Sequence, residues 1–183
     1  LTVKSAQGAN IVSNPGFESG TTSWFFYTNG VGSFTVVSPG AVGSQAGKVS
    51  ITTQGTNVQL YQFNIALQAN TQYMLSFKAY SNRGHDVGVS LLKHGSPFTN
   101  YGLSNRAFDL TTSWMEYSVQ FTTSGFTGTA NDARLMFWLA PYDANGDRYF
   151  FDEVVLAKVN VSVPTAITTH PSSQRVSVGE TAT

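Results

Sequence analysis

The chain has 183 residues, of which 41% are hydrophobic and only 11% charged, and its 10 Lys and Arg balance its 10 Asp and Glu. A zero net charge supplies no basic field for a phosphate backbone, so no nucleic-acid partner is expected. The lack of cysteine excludes a disulfide framework, a thiolate metal site and a cysteine nucleophile. No apolar run approaches the roughly 18 residues of a membrane helix, so no membrane partner is expected either, and the uncharged polar residues that dominate the composition suit a ligand rich in hydroxyls.

Helical periodicity is missing almost everywhere, whereas apolar and polar residues alternate between breaks containing Gly, Asn and Pro. The alternation predicts strands at residues 33–37, 47–52, 57–63, 72–81, 86–93, 113–122, 134–139 and 148–159. Short strands at this spacing predict an all-β fold, a sandwich or jelly roll. Residues 1–160 form the predicted module. Residues 161–183, with Pro164 and the ending Val-Gly-Glu-Thr-Ala-Thr, read as a linker and the start of an immunoglobulin-like domain, or equally as a polar tail.

Because successive side chains of a strand point to opposite faces, each run divides into a core set and an outward set. Tyr73, Leu75, Phe77 and Ala79 read as core, with Lys78 and Tyr80 outward; Val87, Val89 and Leu91 read as core, with Gly88 and Ser90 outward. Tyr117, Val119 and Phe121 leave Glu116 and Gln120 outward, and Leu135, Phe137 and Leu139 leave Arg134, Met136 and Trp138 outward. An outward Trp opposite a complete apolar set is unusual, and ligand stacking explains it. Gln59 and Tyr61 alternate with Val58 and Leu60 and are expected beside Trp138. The candidate ligand face is therefore Trp138, Gln59, Tyr61, Tyr80, Arg134, Gln120 and Glu116, with Tyr101, Arg106, Phe98 and Asn100 at the rim. Trp24 reads equally as core or as platform, Trp114 reads as core, and His85 and His94 are too isolated to form a metal site.

Four ordered blocks carry a family resemblance. They are the segment from Asn10 to Gly20 containing Asn-Pro-Gly-Phe-Glu, the strand from Tyr73 to Ala79, the segment from Leu110 to Tyr117 containing Trp114, and the strand from Tyr149 to Val154 containing Phe-Asp-Glu-Val. In this order they resemble carbohydrate-binding modules of the family 4/9 type and their relatives in families 16 and 22, a resemblance that implies a β-sandwich jelly roll with a concave ligand-binding face. The resemblance implies a structural calcium between the first and last strands, held by the carboxylates of Glu18 and Asp152 and the backbone carbonyls of Gly16 and Lys48. Gln45 stands where some relatives have a ligating acid. The Asp143 to Asp147 segment lacks a downstream bidentate Glu and reads as a turn built on Asn-Gly.

A hydrolase on this fold needs two carboxyl groups flanking one bond, and among the acids only Glu116 falls in the candidate face. A lyase would need a Tyr/His or Arg/His pair, for which the spacing gives no support. A surface adhesion module would share the same core pattern. The sequence thus favours a non-catalytic, monomeric, extracellular module that binds a polysaccharide or oligosaccharide chain such as β-glucan, cello-oligosaccharide or xylan. The expected neighbours in the parent protein are a catalytic domain and the immunoglobulin-like one.

Overall fold

A computed structural model describes residues 6–160. The immunoglobulin-like reading of 161–183 lies outside the described residues. Eleven strands follow one another without a helix among those residues: β1 Ala6–Gln7, β2 Phe25–Thr28, β3 Val31–Val37, β4 Ala46–Thr53, β5 Val58–Gln68, β6 Gln72–Ser81, β7 Val87–Lys93, β8 Asn100–Phe108, β9 Met115–Thr122, β10 Thr129–Trp138 and β11 Arg148–Asn160. They form two antiparallel sheets. Sheet I has the order β3-β4-β11-β6-β9, with β1 also pairing with β11, and sheet II has the order β2-β5-β10-β7-β8.

All the strands expected from alternation are present, and β1, β2 and β8 are additional. The sequence Phe-Phe-Tyr-Thr of β2 puts aromatic rings on both faces, so it shows no alternation. In β8 the left-handed Gly102 and Asn105 (φ +110° and +42°) interrupt the period. Both strands lie at the edges of sheet II, where only one neighbour has to be satisfied.

The core forms where the inner faces of the two sheets meet. Tyr73, Leu75, Phe77 and Ala79 of sheet I and Val87, Val89, Leu91, Leu135, Phe137 and Leu139 of sheet II are all buried, as alternation predicted. Phe137 joins the layers, its ring centroid lying 5.0 Å from that of Phe77 and 4.7 Å from that of Phe151. Burial of each such side chain contributes about 1.5–3 kcal/mol. Trp24 belongs to this core, tilted 5.2 Å from Phe17 and donating Nε1–H to the Asn14 carbonyl at 3.1 Å.

The Asn10 to Gly20 segment closes one end of the sandwich. The Asn10 carboxamide accepts from the backbone N–H of Leu156 at 2.9 Å and donates to the carbonyl of Val154 at 3.1 Å, fastening this segment to β11. Asn14 accepts from Ser19 N–H at 3.0 Å and donates to the carbonyls of Gly20 and Thr22, fixing the turn from within. Phe17 is thereby driven beneath β4 with no exposed surface. Only glycine fits above it, since a Cβ on Gly47 would lie 2.8 Å from the Phe17 ring.

Candidate functional site

The outer face of sheet II carries the most developed site. Register places Trp138 beside Gln59 and Gly88, Met136 beside Tyr61 and Ser90, and Arg134 beside Leu92. Gln59, Tyr61, Arg134 and Trp138 therefore share one face, as their parity predicted. The central part is a groove of about 460 Å³, floored by Leu92 and Met136 and walled by Tyr27, Asn57, Gln59, Tyr61, Phe98 and Arg134. Trp138 lies beyond it in a neighbouring depression of about 410 Å³ with the residue 54–56 loop, Ala140 and Pro141. Its Nε1 is buried without a hydrogen-bond partner.

Arg134 organises the groove. Its Nε donates to His94 Nδ1 at 3.0 Å, one terminal nitrogen to the His94 carbonyl at 2.9 Å, and the other to Gln59 Oε1 at 3.1 Å. The guanidinium lies 4.8 Å from the Tyr61 ring centroid and 6.0 Å from that of Phe98, within cation–π range. Gln59 is fixed on its other side by Asn57, to which its amide donates. Burial, reinforced by the Arg134 charge, lowers the His94 pKa below the ordinary histidine value. A neutral ring agrees with Nδ1 serving as acceptor.

An aromatic row flanks the groove. Phe25 stacks on Tyr61 at 5.7 Å and meets Phe63 at 4.9 Å, and Phe63 stacks on His94 at 4.1 Å. Phe25 and Tyr27 are 44% and 49% exposed, unusually high for rings on a formed strand. Sequence reasoning missed Phe25 and Tyr27 because β2 has no alternation. It could have found Phe63, which continues the parity of Gln59 and Tyr61.

Several expected members lie elsewhere. Tyr80, Glu116 and Gln120 do point outward, but from sheet I, so they do not share the Trp138 face. Tyr80 stacks on Phe150 at 4.2 Å and meets Trp114 edge-on at 4.7 Å. Glu116 pairs with Lys78, and Gln120 with Met74. Trp114, expected in the core, is half-buried on this outer surface. Tyr101, expected at the rim, is buried against the core and donates its hydroxyl to Asp132 Oδ1 at 2.9 Å. Burial and then that bond push its pKa up to about 12. Arg106 is exposed on edge strand β8, in register with the core residue Val89 rather than with the groove, and Asn100 is spent on a turn with Gly102 and Leu103. Phe98, 56% exposed, does reach the groove.

The residues named for a metal come together only in part. A bulge follows Asp152 in β11, where Glu153 adopts φ +51°. There Pro15 accepts the N–H of Val154, so the N-terminal segment, the residue 39–45 loop and Asp152 meet. Asp152 is fully buried; its Oδ2 accepts from Val42 N–H at 2.9 Å and its Oδ1 from Glu153 N–H at 2.8 Å. A Cβ on Gly16 would lie 3.4 Å from Asp152 Oδ1. Gln45 Oε1 is buried with no partner. Glu18 is exposed and accepts from the Ser44 hydroxyl and from the backbone N–H groups of Gln45 and Ser44, which lower its pKa. Lys48 sits within the ladder, between Thr35 and Phe150.

The Asp143 to Asp147 segment is a turn with Gly146 at φ +87°. Asp147, buried, accepts from Ala144 N–H at 2.8 Å and pairs with His85 Nδ1 at 2.6 Å and with Arg83 at 3.4 Å. Asp143 is buried with neither carboxylate oxygen hydrogen-bonded. Burial, and then the charge of Asp147, raise its pKa to about 6. No three His, Cys, Asp or Glu side chains converge as a metal-holding group among the described residues.

Residues 9–144 match the family model for a carbohydrate-binding domain of the 4/9 type. The chain belongs to this family. Solved structures share the module's fold. One described as a family 4 carbohydrate-binding module superposes with TM-score 0.63 at 21% identity, over 80% of this chain and 99% of the other. The N-terminal cellulose-binding domain of a Cellulomonas fimi β-1,4-glucanase gives 0.60 at 21% identity, over 85% and 100%. A xylan-binding family 22 domain from Paenibacillus barcinonensis gives 0.61 at 16% identity, over 85% and 97%. No curated protein matches the chain.

Proposed function

We propose that this carbohydrate-binding module is non-catalytic and holds a single glycan chain in the groove on the outer face of sheet II. Sugar C–H faces would stack on Tyr61, Tyr27 and Phe98, while Gln59, Asn57 and Arg134 hydrogen-bond hydroxyls. The observation that carries this reading is the groove's composition: aromatic walls, amides and a guanidinium, with no Asp or Glu among the lining residues. Glycoside hydrolysis requires two carboxyl groups roughly 5–9.5 Å apart across the scissile bond, and this groove supplies neither. The relatives named as cellulose- and xylan-binding support a β-1,4-linked chain. In this reading the module is extracellular and monomeric and targets an appended polysaccharide-degrading enzyme.

A glycan array followed by affinity electrophoresis tests the assignment. The unaltered protein is expected to be retarded by at least one soluble polysaccharide, and Tyr27→Ala to lose that retardation while melting at nearly the same temperature. Unchanged retardation of the variant would move the site off this face.

We also infer a structural calcium beside Asp152. The donor set there is all oxygen, which suits this ion, and the unpartnered, buried Gln45 Oε1 is a ready ligand. Asp152 and the carbonyls of Gly16 and Lys48 would complete the inner set, with Glu18 closing it from the loop side. Bound calcium would tie the N-terminal segment to β11 and the residue 39–45 loop, stabilising the folded state by mass action. A chelator is expected to lower the melting temperature and added calcium to restore it; insensitivity to both excludes the ion.

A further inference from the structure

We propose that the sheet II groove receives a glycan bearing carboxylate groups, a uronic-acid-containing chain, with Arg134 as the carboxylate receptor; this rests on the groove being the glycan site. Among the lining residues Arg134 alone is charged. A guanidinium does not deprotonate in proteins, and every partner of this one is neutral: Gln59 Oε1, the His94 carbonyl, and His94 Nδ1 acting as an acceptor. Asp132, two positions along β10, accepts from the Tyr101 hydroxyl at 2.9 Å, and its charge acts on His94. The ion pairs found among the described residues involve Asp147, not Arg134.

Arg134 is therefore a half-buried cation without a counter-charge. A guanidinium carries five N–H donors, and three are engaged. One N–H on each terminal nitrogen remains, the number a bidentate carboxylate takes. Sugar hydroxyls would satisfy those donors but would leave the charge uncompensated, whereas a carboxylate supplies both. The receptor is also held in advance, by the His94 and Gln59 bonds and by the Tyr61 ring, so little side-chain entropy is lost on binding. Because the whole chain has no net charge, selection for an anion would arise in the groove and not from a general basic field.

Polygalacturonate, alginate and glucuronoxylan, each compared with its carboxyl-reduced counterpart by affinity electrophoresis and calorimetry, provide the test. At least one carboxylated polymer is expected to bind about 10-fold or more tighter than its reduced form, the size of a charge-assisted hydrogen bond. That preference is expected to shrink as salt rises from about 20 to about 200 mM and to vanish in Arg134→Gln. If Arg134→Gln does not fold, the comparison of native and reduced polymers on the unaltered protein decides by itself. Equal binding of both forms, or binding of neutral chains alone, overturns the proposal and leaves a neutral-glycan groove. Retention of no polymer of either kind overturns the proposal and the glycan site together.

Discussion

The two outer faces of the sandwich are built from the same residue types yet are prepared for different tasks. On sheet II, Phe25 and Tyr27 keep nearly half their surface in water, and Arg134 is held against Tyr61 with donors left over. On sheet I, Tyr80 lies flat on Phe150, with their planes 2° apart, and is capped by Trp114, so its ring is spent on its neighbours. Glu116 stands opposite Lys78, so the register sets opposite charges on facing residues. An exposed aromatic marks a binding surface only when its faces and its polar neighbours are unsatisfied within the protein. On sheet II Tyr27 and Phe98 stay exposed with no ring packed on them among the described residues, although Tyr61 carries Phe25 and Arg134, whereas on sheet I Tyr80 has both Phe150 and Trp114 against it.

The largest expected effect is one that abolishes the distinction. Phe137 lies between the sheets and touches Phe77 and Phe151, so Phe137→Ala is expected to cost about 3–5 kcal/mol. Ligand binding and the melting transition should weaken together, measured by chemical denaturation and retention on the same sample. A smaller change sharpens the comparison. Tyr27→Ala, at a groove ring 49% exposed, should reduce glycan affinity by about 10-fold or more through lost stacking with little change in melting. Tyr80→Ala should do the reverse, losing about 1 kcal/mol of stability with the aromatic contacts and binding as before. Equal binding losses in these two variants would break the division of labour between the faces.

The smallest expected effect lies where the chain passes between the sheets. Asp143 follows β10 of sheet II and precedes β11 of sheet I, and its carboxyl is pushed up to about 6 from 3.8. Between those values the folded protein holds a proton that the unfolded chain has released, so this group favours folding as pH falls through 6 towards 4 and disfavours it as pH rises through the same window. Asp143→Asn should therefore raise the melting temperature by a few degrees at pH 7 and change it little at pH 4. Scanning calorimetry of both proteins at the two pH values checks the sign.

Parity was legible in the sequence for the strands that alternate, and not for β2 or β8. It separated Leu135, Phe137 and Leu139 from Arg134, Met136 and Trp138, and it put Gln59 and Tyr61 opposite Val58 and Leu60, because side chains alternate with period two whatever the strand's neighbours. The family, too, was legible in four ordered blocks. Outwardness, however, names a direction relative to one sheet and not a place, so Tyr80, Glu116 and Gln120 were grouped with Trp138 although a whole sandwich separates them.

The sequence by itself determined an all-β module of zero net charge and which side of most strands meets the core, because burying apolar area requires one apolar face per strand. Only the tertiary structure decided which strands became neighbours, since hydrogen bonding between strands carries no sequence code of its own. That pairing set β2 beside β5 and β10 beside β7, and so gathered Tyr27, Tyr61, Arg134 and the histidine at the end of β7 into one groove.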